Sequence, residues 1–310
     1  MIDISAKRPY DFLHWRGKEA EMSGSRSQEG FGRGVLVTGC SSGIGRATAL
    51  HLADRGFTVF ATVRRRTDFE ELNAFGNPAL VPYFPLDLRK LEHIPPLAAR
   101  IEEVLSERRQ SGLYAIISNA GAGSVSPLEL LDLEAFRGEL EARLLGPVAL
   151  AQALLPSLRK GGGRMLWIAT PALIPIPFVA SIHACDYAVN CLARTFALEL
   201  KPWKIPSIFV RCGVINTAAP EKSARELDLE MARWPKDKLA LYREALEKEK
   251  KGLAAFDQKR SAPAVIAQKV LEALLAARPR RVYRAGYMSR AGAVLDVLPQ
   301  RLVDYVMSRR

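Results

Sequence analysis

From Gly34 onward, short apolar or β-branched runs alternate with longer segments whose apolar residues recur every three or four positions. GVLVTG leads into a helical pattern over Gly45 to Arg55, FTVFATV and LVPYFPLD follow, and a second helical pattern covers Ile94 to Arg109. LYAIISNAG is then followed by a helix over Leu133 to Arg159, a strand at RMLWIAT, a helix over Ala184 to Leu200 and a strand at SIFVRCG. Strands separated by helical stretches of this length form βαβ units, so the pattern predicts an α/β fold with a doubly wound parallel sheet.

The rhythm changes after Thr217. Residues 220–256 carry a charged helical region broken at Pro235, with Leu227, Leu229, Met231, Trp234, Leu239, Tyr242 and Leu246 expected on one side as a lid over a pocket. The stretch 291–310 is amphipathic and ends in basic residues, a pattern that suits packing on its own domain or a sister subunit better than lying on lipid. Residues 1–33 mix charge, Ser and Gly without periodicity and read as a flexible extension, leaving one domain over 34–290.

At 310 residues and 48% hydrophobic content the chain can bury one large core. No apolar run approaches the roughly 18 residues that cross a bilayer, and the polar start lacks a signal-peptide core, so a cytoplasmic address is expected, with peripheral membrane contact as an option. The net charge of +12 raises anionic partners, but the basic clusters Arg64 to Arg66 and Arg278 to Arg281 have no aromatic interleaving or nucleic-acid motif around them. Nucleic acid is therefore not expected as a partner. Cys40, Cys185, Cys191 and Cys212 form no CxxC pair and the four histidines are scattered, which points to reduced buried thiols and no metal site.

Candidate chemistry starts at Thr38-Gly39-Cys40-Ser41-Ser42-Gly43-Ile44-Gly45, a Gly-rich turn between the first strand and a helix. Glycines let the chain turn sharply and bring its backbone against a pyrophosphate, while the helix N-terminus supplies amide donors and a favourable dipole. The strand before, the helix after and the βαβ series that follows are the context that gives such a turn meaning. At the end of the second strand Val63 stands where an Asp would hold a free ribose hydroxyl, followed by Arg64, Arg65 and Arg66. Arginine pairs bidentately with phosphate, so NADP(H) is favoured over NAD(H).

The Gly-rich turn, Asp87 in PLDL and Ser118-Asn119-Ala120-Gly121 at a strand end, in this order and spacing, resemble the short-chain dehydrogenase/reductase family over about residues 34 to 220. The tail from Ser261 is loosely similar to the branch with 17β-hydroxysteroid, retinol and 3-hydroxybutyrate dehydrogenases. The resemblance implies a Rossmann-type fold and a cofactor site made of Gly39, Ser41, Ser42, Gly43, Ile44, Gly45, Arg64, Asp87, Leu88, Asn119, Ala120, Gly121 and Thr217. It also implies a dimer face on the helices carrying Arg143 and Asp186, shared with a second copy or with a related subunit.

The family's chemistry rests on a Tyr as acid/base, a Lys that lowers its pKa, a Ser that holds the oxyanion and an Asn on an earlier helix. Ala184-Cys185-Asp186 and the LEL of Leu198 to Leu200 register this chain against that pattern, placing Asp186 at the Lys, Ile182 at the Tyr, Ala169 at the Ser and Arg143 at the Asn. Isoleucine has no proton to give, alanine cannot hold an oxyanion, and Asp186 inverts the charge. Thr170, Ser181, His183 and Tyr187 carry usable groups, but each is one position off, on another strand face or rotated by about 100° on a helix. Arg143 and Asp186 are opposite departures expected to be close, and an ion pair between them would offset the cost of burying either charge alone. Cys212-Gly213 replaces the usual Pro-Gly.

Two readings follow. In the first, the chain keeps NADP(H) binding, takes a hydrophobic small molecule beside it and acts by binding or assembly as a pseudoenzyme. In the second, it is an NADP-dependent oxidoreductase of an apolar hydroxyl or keto compound that uses Thr170 or His183 in place of the missing groups.

Overall fold

The computed structural model describes residues 29–121, 123–255 and 259–309. It contains a seven-stranded parallel sheet in the order β3-β2-β1-β4-β5-β6-β7. The strands are β1 Gly34–Val37, β2 Thr58–Thr62, β3 Leu80–Tyr83, β4 Leu113–Ser118, β5 Arg164–Ala169, β6 Ser207–Cys212 and β7 Val282–Ala285. Chain order reverses between β1 and β4, which opens a crevice at the strands' carboxyl ends, the place where doubly wound sheets bind ligands.

Alternation along the strands builds two cores. Val35, Val37, Ala61, Ile117 and Val210 face one side, against α1 (Gly43–Asp54) and α9 (Pro263–Leu275). Leu36, Phe60, Ile116, Met165 and Phe209 face the other, against α3 (Ile94–Glu107), α5 (Gly146–Lys160) and α6 (Ala180–Glu199). Each fully buried Leu, Ile or Phe in these layers contributes about 2 kcal/mol relative to an exposed one. A short α2 (Arg66–Asn73) separates β2 from β3, and neither α2, α9 nor β7 was among the elements that the hydrophobic pattern marked.

Several expected boundaries move. The helix over Leu133 to Arg159 is instead α4 (Leu133–Leu140), one wide π turn over Glu141–Leu145 and then α5. Asp132 starts α4 by accepting the amides of Glu134 and Ala135 at 2.9 and 3.3 Å, and Arg143 sits in the π turn. α6 begins at Ala180 rather than Ala184, so Ser181, Ile182 and His183 all lie on its first turn.

The charged region forms α7 (Ala219–Arg233) and α8 (Lys236–Ala255), broken at the expected proline. Leu227, Leu239 and Leu246 are buried with Val125 and Phe178, whereas Leu229, expected on the same side, is 61% exposed. The C-terminal stretch forms α10 (Ser289–Leu295) and α11 (Gln300–Ser308), and Val303 packs on Ala172 and Ile174 of the loop after β5.

The extension expected over 1–33 lies mostly outside the described residues. Its end is not free: the Gly30 amide donates to the Arg55 carbonyl at 3.0 Å, and Glu29 pairs with Arg55. Of the four thiols, Cys191 is exposed, against expectation, because it falls on the outer face of α6. Among the described residues no helix is long and apolar enough to cross a membrane.

Candidate functional site

The crevice above β1 and β4 is a cavity of about 950 Å³, at the upper end of the range for small-molecule sites. Of the residues expected to hold a cofactor, Gly39, Ser41, Ser42, Gly43, Ile44, Arg64, Asp87, Leu88, Asn119, Ala120, Gly121 and Thr217 line it. Gly45 does not; it lies beneath the turn, where a Cβ would stand 2.2 Å from the Gly39 carbonyl oxygen. Gly39 itself has φ +72°, a conformation L side chains resist. Thr38 pins the turn to β4: its Oγ1 accepts the amides of Asn119 and Ala120 at 3.0 Å, and Asn119 Nδ2 returns a bond to the Thr38 carbonyl.

This backbone fits a dinucleotide phosphate, since Gly39 and Gly45 leave no room for a Cβ and the turn delivers the amides at the start of α1. The arginine cluster divides. Arg65 is bound to Asp68 by two hydrogen bonds of 2.8 and 2.9 Å and Arg66 to Glu70 at 3.1 Å, so both serve α2. Arg64 lines the cavity and makes no hydrogen bond or ion pair among the described residues. Asp87 is gripped by Arg89 at 2.6 to 3.2 Å, which holds its carboxyl down at about 2.

The opposite wall is built by side chains. Arg143, Ala169, Thr170 and Ile182 line the cavity, and Asp186 lies behind them, buried. Arg143 Nη2 donates to Asp186 Oδ1 at 2.6 Å, forming the expected pair. Asp186 Oδ2 also accepts the Thr170 amide at 3.1 Å, so one carboxylate joins α6, the π turn and the end of β5.

The other candidate donors are engaged or face away. The Thr170 hydroxyl donates to the Ala172 carbonyl at 3.2 Å and the Tyr187 phenol to the Leu173 carbonyl at 2.5 Å. Ser181 and His183 are buried off the cavity, and burial pushes the His183 pKa down, so it is neutral at pH 7. The loop after β5 is strapped from several sides: Arg211 donates to the Thr170 carbonyl, Arg284 to the Pro171 carbonyl, and Asp296 accepts both the Leu173 amide and Arg284. Buried Cys40 and Cys212 have thiols raised to about 12 and are unreactive at neutral pH.

Two further cavity residues had no marker in the sequence. Glu139 on α4 accepts the Ser124 amide at 2.7 Å and also the Ser124 hydroxyl. The one signal was spacing, since Glu139 precedes Arg143 by a single helical turn.

A family model described as short chain dehydrogenase matches residues 33–228. The chain belongs to the short-chain dehydrogenase/reductase family. Within it the chain falls in the steroid/retinol branch. It is 32% identical to human 11-beta-hydroxysteroid dehydrogenase type 2 over 82% of this chain and 64% of that protein. It is 27% identical to human retinol dehydrogenase 16 over 96% of this chain and 93% of the relative. The chain thus spans 64% of the length of the first of these relatives. Solved short-chain dehydrogenase structures share the fold, including one from Burkholderia cenocepacia in complex with NADP, with TM-score 0.67 and 22% identity over 89% of this chain and 98% of that one.

Proposed function

We propose that this family member binds NADP(H) together with an apolar small molecule and acts through that binding, without the hydride chemistry of its relatives. The observation that carries the proposal is the Arg143–Asp186 pair at 2.6 Å. It converts the space of an Asn and a Lys into a closed structural bond, beside Ile182 and Ala169, which cannot move a proton or hold an oxyanion. The Gly39 to Gly45 turn and the α1 amides would hold the pyrophosphate, Arg64 the 2′-phosphate, and Asp87 and Leu88 the adenine end. The cofactor would supply a reducible nicotinamide ring, whose ribose finds no lysine here. The α7–α8 pair would cover the ligand from above, through Leu227 and Trp234 on the cavity wall.

A second reading, an oxidoreductase of an apolar hydroxyl or keto compound, is favoured by Thr170, the one surrogate hydroxyl on the cavity wall, and by relatives named dehydrogenases. Titration with NADPH followed by fluorescence, then turnover with steroid and retinoid panels, separates the two. Saturable binding with no turnover is expected. Turnover that disappears in Thr170→Val establishes the second reading, and absence of saturable NADPH binding overturns the cofactor part of both.

A further inference from the structure

We infer that Glu139 is the residue that anchors the cavity's ligand, and that it selects compounds presenting a hydrogen-bond donor, foremost a hydroxyl, against ketones. The inference rests on the reading that this cavity holds an apolar small molecule. Glu139 is 9% exposed, and its two carboxylate oxygens have different fates. Oε1 is saturated by the amide and hydroxyl of Ser124, so the Ser124 proton is not available to a ligand. Oε2 is buried and accepts no hydrogen bond among the described residues.

A buried carboxylate oxygen without a donor costs several kcal/mol, and a native site that keeps one has a use for it. This oxygen lies at the cavity wall beside Gly123, 3.1 Å from where a Cβ on that glycine would stand. The same absent Cβ would meet Ile182 Cγ1 at 2.1 Å, so the free oxygen lies beside the side chain that replaces the family's acid. The oxygen and the Ile182 side chain thus share one stretch of the cavity wall.

The polarity of this wall is therefore reversed. Where hydroxyl donors are expected from the resemblance, Ala169 and Ile182 offer none and Glu139 offers an acceptor. A ketone has only acceptors and would face the carboxylate unpaired, whereas an alcohol or an ammonium group would donate to it. Arg143 ranks these two. Four residues on from Glu139, in the π turn, its Nε is also buried with no hydrogen-bond partner among the described residues, while Nη2 is committed to Asp186. A hydroxyl complements both an acceptor and a donor; an ammonium group complements the acceptor alone.

The test uses three probes with one apolar body, naphthylmethanol, naphthylmethylamine and acetylnaphthalene, titrated into the NADPH-loaded full chain by fluorescence and calorimetry. The alcohol is expected to bind at least about tenfold more tightly than the ketone, with the amine between them. Glu139→Leu should erase the preference. Glu139→Gln, which keeps the size and the Ser124 bonds but adds an N–H donor, should bring the ketone to within about threefold of the alcohol. Unfolding temperature and NADPH affinity verify that both variants are folded. Equal binding of alcohol and ketone, or a preference that survives Glu139→Leu and Glu139→Gln, overturns the assignment of Glu139 and leaves the ligand reading standing. If none of the probes binds, the apolar-ligand reading falls, and this inference with it.

Discussion

The end of the cavity at the Gly-rich turn is made by backbone: the left-handed Gly39, the close approach of Gly45 to the Gly39 carbonyl, and the Thr38 hydroxyl tying the turn to Asn119. The opposite wall is made by side chains, with Asp186 holding Arg143 and Thr170 where a proton donor and its cation would be expected. Backbone recognition is tied to the fold itself, because changing it means rebuilding the β1–α1 turn. Side-chain chemistry can be exchanged residue by residue while helix and strand stay in place. One cavity can therefore keep its backbone turn while the side chains of its other wall are replaced, which is the arrangement the proposed function requires.

The sharpest way to break this contrast is Asp186→Ala. Removing one partner leaves the Arg143 guanidinium largely buried and uncompensated, with an expected loss of about 3 kcal/mol in urea unfolding and little change in NADPH affinity. A loss under about 1 kcal/mol would mean the wall is not held by the pair. At the other end, Arg64→Ala should weaken NADPH binding about tenfold, or about 1.4 kcal/mol, and leave NADH binding unchanged, while Arg65→Ala, whose guanidinium is already engaged, should change neither much. Equal effects on both cofactors would remove the 2′-phosphate from the argument.

The smallest effect is in acid. Burial lowers the His183 pKa, so its neutral form stabilises the fold above the ordinary value of 6.5 and that contribution is lost as pH falls below it. Asp87 is lowered from 3.8 to about 2 by Arg89, so its contribution is present above about 4 and is lost as pH falls through about 2. With Arg89 half exposed, that contribution is about 1 kcal/mol. Unfolding measured against pH should show two separate declines, and His183→Leu should abolish the upper one alone.

The parallel sheet and the Gly-rich turn were legible because their residues obey local rules: apolar strands, and glycines where a Cβ cannot fit. The Arg143–Asp186 pair was legible because two departures from one pattern were of opposite charge. Arg65 and Arg66 misled, since a run of like residues does not reveal that α2 brings Asp68 and Glu70 to two of them. Glu139 was silent for a related reason. An acidic residue in a charged helix reads as solvated, and its burial depends on Gly123 and Ser124 lying against it, far along the chain, which no local pattern encodes. The early start of α6 was missed because its first turn, ASIH, lacks a capping residue, Val179 preceding it with no side-chain cap.

The straps on the loop after β5 give the end of the chain a part in the site. Arg284 grips the Pro171 carbonyl with one arm and Asp296 with the other, and Asp296 itself holds the Leu173 amide. The loop after β5 and the α10–α11 segment therefore share one set of restraints. The end of the chain is thus built into the back of a wall whose front, at Thr170 and Pro171, faces the cavity.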